Sequence, residues 1–94
     1  MEHNLLIHRR EDHAGIAVTD IKAGEKAKGI VLADGFRIEL NALQDVPLAH
    51  KMAIKAAAPG DKVVLTGHPA GEATQAIQPG EHVHVHNMKS LRWS

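Results

Sequence analysis

Glu81-His82-Val83-His84-Val85-His86-Asn87 is the densest group of reactive side chains in the sequence. In an extended segment successive side chains point to opposite faces. The alternation therefore predicts a strand that presents His82, His84 and His86 on one face, about 6.5 Å apart at two residues per step. Val83 and Val85 would be buried on the other face. Three imidazoles so arranged can ligate a divalent metal, and they can exchange a proton near neutral pH. Their spacing matches neither the zinc-finger nor the metalloprotease pattern, so it names no metal. A solvated strand face that happens to carry histidine remains the plain alternative. His50-Lys51, just after Pro47-Leu48-Ala49, is the second group. An adjacent imidazole and ammonium can offer an acid or base and a cation to a carboxylate, or they can form an ordinary surface pair.

The other histidines carry less. His3, His8 and His13 recur every five residues, a spacing that fits neither a helix face nor a strand face, and they read as surface residues. Thr66-Gly67-His68-Pro69-Ala70-Gly71 reads as a hairpin turn. Ser90 and Ser94 are the only serines and both lie in the tail, so a serine triad has no candidate. No Gly-rich loop leads into a helix to hold a phosphate. Trp93, the only tryptophan, calls for burial on its own domain or under a partner.

The elements that must position these groups are announced by a recurring turn. Lys22-Ala23-Gly24-Glu25-Lys26, Ala58-Pro59-Gly60-Asp61-Lys62 and Gln78-Pro79-Gly80-Glu81-His82 share one pattern. Pro presets φ and Gly supplies the positive φ of a type II turn. Phe36-Arg37-Ile38-Glu39-Leu40 alternates as a strand with one wet face. Lys62-Val63-Val64-Leu65-Thr66 is a short apolar strand between turns. Ile16-Ala17-Val18 and Ile30-Val31-Leu32 are weaker strands. Asn41 can cap a short helix through Asp45, stopped by Pro47, and residues 50–58 have helix-friendly composition up to Pro59. Short strands with many turns predict a mainly β domain with one or two short helices.

Composition bounds the rest. The 94 residues make one domain, 1–94, able to bury about 64% of the unfolded surface. Eleven basic residues balance eleven acidic ones, which argues against nucleic acid as a partner. There is no cysteine. No apolar run approaches the roughly 20 residues of a membrane helix. The chain reads as soluble and cytoplasmic, with an aliphatic core, since aromatic residues are 2% of it.

Taken in order, Asp45-Val46-Pro47-Leu48-Ala49-His50-Lys51, Ala58-Pro59-Gly60-Asp61-Lys62-Val63-Val64, Thr66-Gly67, Gly71 and Ile77-Gln78-Pro79-Gly80-Glu81-His82-Val83-His84-Val85-His86-Asn87 resemble a known family over residues 4–93. The family is the SAF domain of altronate and galactarate dehydratases, which also stands alone as the small subunit of sulfolactate sulfo-lyase. Ala49 stands where the family usually has Gly, Thr66 where it has an aromatic residue, and Ala70 where it has a large aliphatic one. The resemblance implies a β-clip of short bent strands. It further implies the small subunit of a split hydro-lyase or carbon–sulfur lyase, inactive without a separate large catalytic subunit. The substrate would be a sugar acid or a sulfolactate-like acid. An iron(II) ion shared with the large subunit is implied as cofactor. His84, His86 and His50 would be catalytic, and Lys51, Asn87 and Arg92 would bind substrate. His82, His84 and His86 would face the metal. Association of the chain with itself stays open. The competing readings are a non-catalytic SAF binding module and a small metal-binding protein.

Overall fold

Chain reversals organise the structure, a computed structural model that describes residues 3–90. Gly24, Gly60 and Gly80 have φ of 90°, 90° and 94°, the left-handed region their turns require. The acidic residue after each glycine folds back onto the N–H three residues earlier. Glu25 Oε1 accepts from Lys22 at 2.6 Å, Asp61 Oδ2 from Ala58 at 2.8 Å, and Glu81 Oε1 from Gln78 at 2.8 Å. At Gly80 the backbone is also crowded, because a Cβ there would collide with the Asn41 carbonyl oxygen. Pro47-Leu48-Ala49-His50 forms a fourth turn with Ala49 at φ 73°. There the Leu48 N–H is taken by Asp20 Oδ1 at 2.8 Å. The apolar residue that opens each turn is buried, and the four pair as antiparallel bridges, Ile21 with Val46 and Ala57 with Ile77.

Between the turns run nine short strands: β1 Leu5–Ile7, β2 Ala14–Ala17, β3 Lys26–Val31, β4 Arg37–Asn41, β5 Lys51–Ala53, β6 Lys62–Leu65, β7 His68–Ala73, β8 His82–Val83 and β9 Met88–Ser90. Six form one sheet in the order β4-β3-β1-β2-β5-β8, and three form another, β6-β7-β9. Neighbours are antiparallel except β1 and β3. The strands expected near residues 16–18, 36–40 and 62–66 are present within two residues, and the one expected at 30–32 is the end of the longer β3.

The expected short helices are absent among the described residues. Asn41 ends β4 instead of capping a helix, and Ala42 to Asp45 is loop. Its backbone bonds outward: Ala42 N–H donates to Glu25 O and Leu43 N–H to Gly80 O. Residues 50–58 contain β5, which pairs with β2 and β8. Helix propensity is a weak prior, and tertiary pairing overrides it at both places. No helix of the described residues is long and apolar enough to cross a membrane.

Two aliphatic clusters hold the sheets. Leu5, Ile7, Ile21, Val31, Val46 and Met52 anchor the larger one. Ala14, Ala53, Ala57, Val63, Ala73, Ile77 and Val83 form the second. Four alanines among those seven leave little bulk between backbones, which suits the close packing of short, sharply turned strands.

Candidate functional site

The histidine segment does not remain a strand. β8 ends at Val83, and residues 84–87 form a turn. Asn87 causes the turn. Its side chain is buried, with Oδ1 accepting the His84 N–H at 3.0 Å and Nδ2 donating to the His82 carbonyl at 2.8 Å. The Asn87 and Met88 N–H groups both donate to the His84 carbonyl, at 3.1 and 2.9 Å. A short amide that mimics a backbone turn outcompetes the extended conformation here. Val83 is buried as expected, but Val85 is 82% exposed. The expectation that Val85 sits in the core is therefore corrected.

The imidazoles nevertheless come together, through pairing rather than alternation. β5 and β8 pair with Lys51 opposite Val83 and Met52 opposite His82. Carried one step further, that register sets His50 opposite His84. Their rings stack, with centroids 5.2 Å apart and planes inclined by 15°. His50 Nδ1 lies 2.8 Å from His82 Nε2, a hydrogen bond that requires one of the two nitrogens to be an unprotonated acceptor. His82 is also 5.3 Å from His84 and 5.7 Å from His86, centroid to centroid. Gln44 steadies the group by accepting the His82 N–H on its Oε1 at 2.9 Å. Burial holds the His82 pKa below its ordinary value, and positive charge on His50, His84 and His86 lowers it further. A neutral imidazole beside other imidazoles can accept a proton and pass it on.

Lys51 departs from this group. Consecutive strand residues face opposite ways, and Lys51 lines a cavity of about 170 Å³ with Leu6, Ile16 and Leu65, which none of the four histidines lines. Asn87 belongs to the cluster as the residue that shapes its loop. Arg92 and Trp93 lie outside the described residues. Imidazole suits iron and several other divalent metals. Among the described residues, however, no three His, Asp or Glu side chains converge to hold an ion. No chemical step is therefore routed through a metal.

Two polar residues outside the imidazole cluster have structural roles that the sequence reading did not assign. Asp12 is buried, and its carboxylate accepts the N–H groups of Gly67, Thr66 and Arg9 at 2.9, 2.9 and 3.2 Å. His13 is half-buried rather than a surface residue. Its Nδ1 accepts the Val64 N–H at 3.0 Å, its own N–H donates to the Val64 carbonyl, and its carbonyl takes the N–H groups of Ile54 and Lys55. It thereby links the two sheets. The only sequence signal for either was a charged and an imidazole residue placed just before an apolar strand. The hairpin turn expected over Thr66 to Gly71 is confined to Thr66-Gly67, with φ of 52° and 80°, and His68 to Gly71 belong to β7.

Short strands reversed by repeated positive-φ turns, with histidines from two of the loops meeting at one edge, are the architecture of a small β domain that presents an imidazole cluster at that edge. The chain matches the altronate/galactarate dehydratase SAF domain over residues 3–91 and belongs to that family. Over 94 residues it is 32% identical to (2R)-sulfolactate sulfo-lyase subunit alpha of Chromohalobacter salexigens, covering 99% of this chain and 100% of that one. The protein of the same name from Paracoccus pantotrophus is 38% identical over 64 residues, 68% of this chain and 96% of that one. Altronate dehydratase of Bacillus subtilis is 37% identical over 90 residues, which are 96% of this chain but 17% of that enzyme.

Proposed function

We propose that this chain is the small subunit of a split lyase that eliminates water from a sugar acid, or sulfite from a sulfolactate-like acid. The observation that carries the reading is the gathering of His50, His82, His84 and His86 from two loops more than thirty residues apart. This occurs in a chain that aligns end to end with a lyase subunit alpha. β-Elimination needs a base for the proton α to the carboxylate, an acid for the leaving group, and positive charge on the carboxylate. The His50–His82 pair supplies a neutral acceptor next to a second imidazole that can share the proton. His84 and His86, both exposed, are the groups that reach substrate. Asn87 fixes their loop. Arg92 is the carboxylate-binding cation of the reading, whereas Lys51 lies on the other face of β5, away from the imidazoles.

The remaining groups come from a separate large chain, which also closes the site against water. If iron(II) is the cofactor, imidazoles here supply part of its ligands and the large chain supplies the rest. Two reconstitutions test the proposal. One pairs this chain with the other subunit of the Chromohalobacter sulfo-lyase, the other with Bacillus altronate dehydratase lacking its matching segment. Sulfolactate, altronate and galactarate are assayed for conversion to the keto acid. Turnover is expected only in the reconstituted complex, and His84→Ala or His86→Ala should abolish it while the subunit stays folded. Turnover by the isolated chain would overturn the subunit reading, and none in either reconstitution would overturn the lyase reading.

A further inference from the structure

Six large apolar side chains are exposed among the described residues: Ile16, Leu32, Phe36, Leu43, Leu48 and Val85. They fall into two groups. Phe36 is covered on one face by the Arg10 guanidinium, 4.0 Å from the ring centre, and Ile16 and Leu32 line the cavity beside Lys51. The other three sit on the loops that build the imidazole cluster. Leu43 bonds through its N–H to Gly80, next to Gln44, which holds the His82 backbone. Leu48 occupies the tip of the Ala49 turn, two residues before His50. Val85 stands between His84 and His86 and is the most exposed of the six, at 82%. A turn tip in water ordinarily carries polar residues. Apolar residues grouped around a polar functional cluster are instead a mark of a surface that another protein covers.

We infer that Leu43, Leu48 and Val85 rim the face on which the large lyase chain docks, so that the same contact that binds the partner seals the four imidazoles from water. The inference rests on the split-lyase reading for the identity of the partner. What commits the face to that partner is the make-up of the fused relative. There the segment matching this chain is 17% of the enzyme, and the remainder is held in permanent company with it. Imidazoles that act on a substrate held by that remainder must lie on the side that meets it. Val85, Leu48 and Leu43 are the apolar residues of that side.

Binding separates this inference from the reading beneath it. Wild type, Val85→Asp, Leu48→Asp and Leu32→Asp are first shown to have the same circular dichroism. Each is then titrated by biolayer interferometry against the other subunit of the Chromohalobacter sulfo-lyase and against Bacillus altronate dehydratase lacking its matching segment. Val85→Asp and Leu48→Asp should each weaken binding at least tenfold, and Leu32→Asp less than twofold. Equal binding by Val85→Asp, Leu48→Asp and wild type would overturn the face, as would an equal loss in Leu32→Asp or failure of wild type to bind either probe. Self-association of the isolated chain that Val85→Asp abolishes would also overturn it, by making a second copy the occupant. Binding without turnover leaves the face standing and defeats the lyase reading. Turnover with Val85→Asp binding like wild type does the reverse.

Discussion

Asp12 and Asn87 are the two buried polar side chains outside the backbone among the described residues, and each spends itself on a tight loop. Asp12 only accepts. Its two oxygens take three N–H groups, two from the Thr66-Gly67 turn more than fifty residues away. Asn87 both donates and accepts, and it acts within its own segment, on His82 and His84. The polar chemistry of Asp12 is used up in joining the chain's first loops to its third quarter. At the Asn87 loop the structural bonds are likewise buried, but they leave His84 and His86 displayed outside. One device therefore serves stability in one loop and display in the other, and the two can be separated by substitution.

The largest effect is expected at Asp12. Asp12→Ala leaves three backbone N–H groups without their acceptor. Hydrogen bonds to charged groups contribute about 1.5–3 kcal/mol each, and water entering the vacated space recovers part of the loss. A net destabilisation of about 3–5 kcal/mol follows, read as a drop in urea midpoint with unchanged slope. Asp12→Asn keeps one accepting oxygen and should lose less than half of that. An Asn variant as damaged as the Ala variant would show that the charge, and not the acceptor count, is what the loop needs.

Asn87→Ala comes next. It removes one accepted and one donated bond, worth about 1–2 kcal/mol together by the usual net value per bond. The effect on display should exceed the effect on stability. With the turn released, His84 leaves its stack on His50, and the ring resonances of His50, His82 and His84 should move toward those of free imidazole in NMR. Asn87→Asp is the sharper variant. It can still accept from the His84 N–H, but it turns a carboxylate oxygen toward the His82 carbonyl in place of a donor. It should therefore resemble Ala in its spectrum despite matching Asn in shape.

What was legible in the sequence follows the same division. Three of the four reversals were visible because glycine marks them, and the alternating and apolar strands were visible from their periods. The grouping of His50 with the later histidines came from the family pattern, and β-pairing then explains it. The burial of Val85 was misread because strand alternation says nothing of where a strand stops. That depends on Asn87 and Gln44, whose partners are backbone groups. Asp12 was invisible for the same reason, since its partners lie more than fifty residues along the chain. The helices expected at 41–45 and 50–58 were propensities with no competing local signal, and cross-strand bonds to Glu25, Gly80 and Glu81 removed them.

The pH dependence of folding should come from the imidazole cluster. His82 has its pKa lowered in the fold from the ordinary 6.5, by burial first and by neighbouring imidazoles second. Between that lowered value and 6.5 the unfolded chain binds more proton than the folded one at this site. Stability therefore rises with pH across that window and is lost as the solution is acidified below 6.5. The melting temperature should fall from pH 7.5 to pH 5.5. His82→Gln should flatten that decline, whereas an equal slope in the variant would place the sensitivity elsewhere. Because His84 and His86 are exposed, salt should soften their part of the effect.

The smallest effect tests how the imidazole cluster is aimed. Ala49 holds φ at 73°, a region that costs an L-residue roughly 1–2 kcal/mol. It tolerates the cost because Ala17 clamps it from both sides: the Ala49 N–H donates to the Ala17 carbonyl, and the Ala17 N–H donates to the His50 carbonyl, each at 2.8 Å. Ala49→Gly relieves the strain but gives the unfolded chain more freedom, which returns about 0.4–1 kcal/mol. The balance is a gain of about 0.5 kcal/mol, or roughly 2–4 °C in melting temperature for a chain this size. With the clamp unchanged, His50 should keep its stack on His84, and its ring shifts should match those of the parent. If Ala49→Gly instead melts lower and His50 loses its stack, the alanine is itself part of the aim, its restricted backbone holding the imidazole where the clamp alone does not.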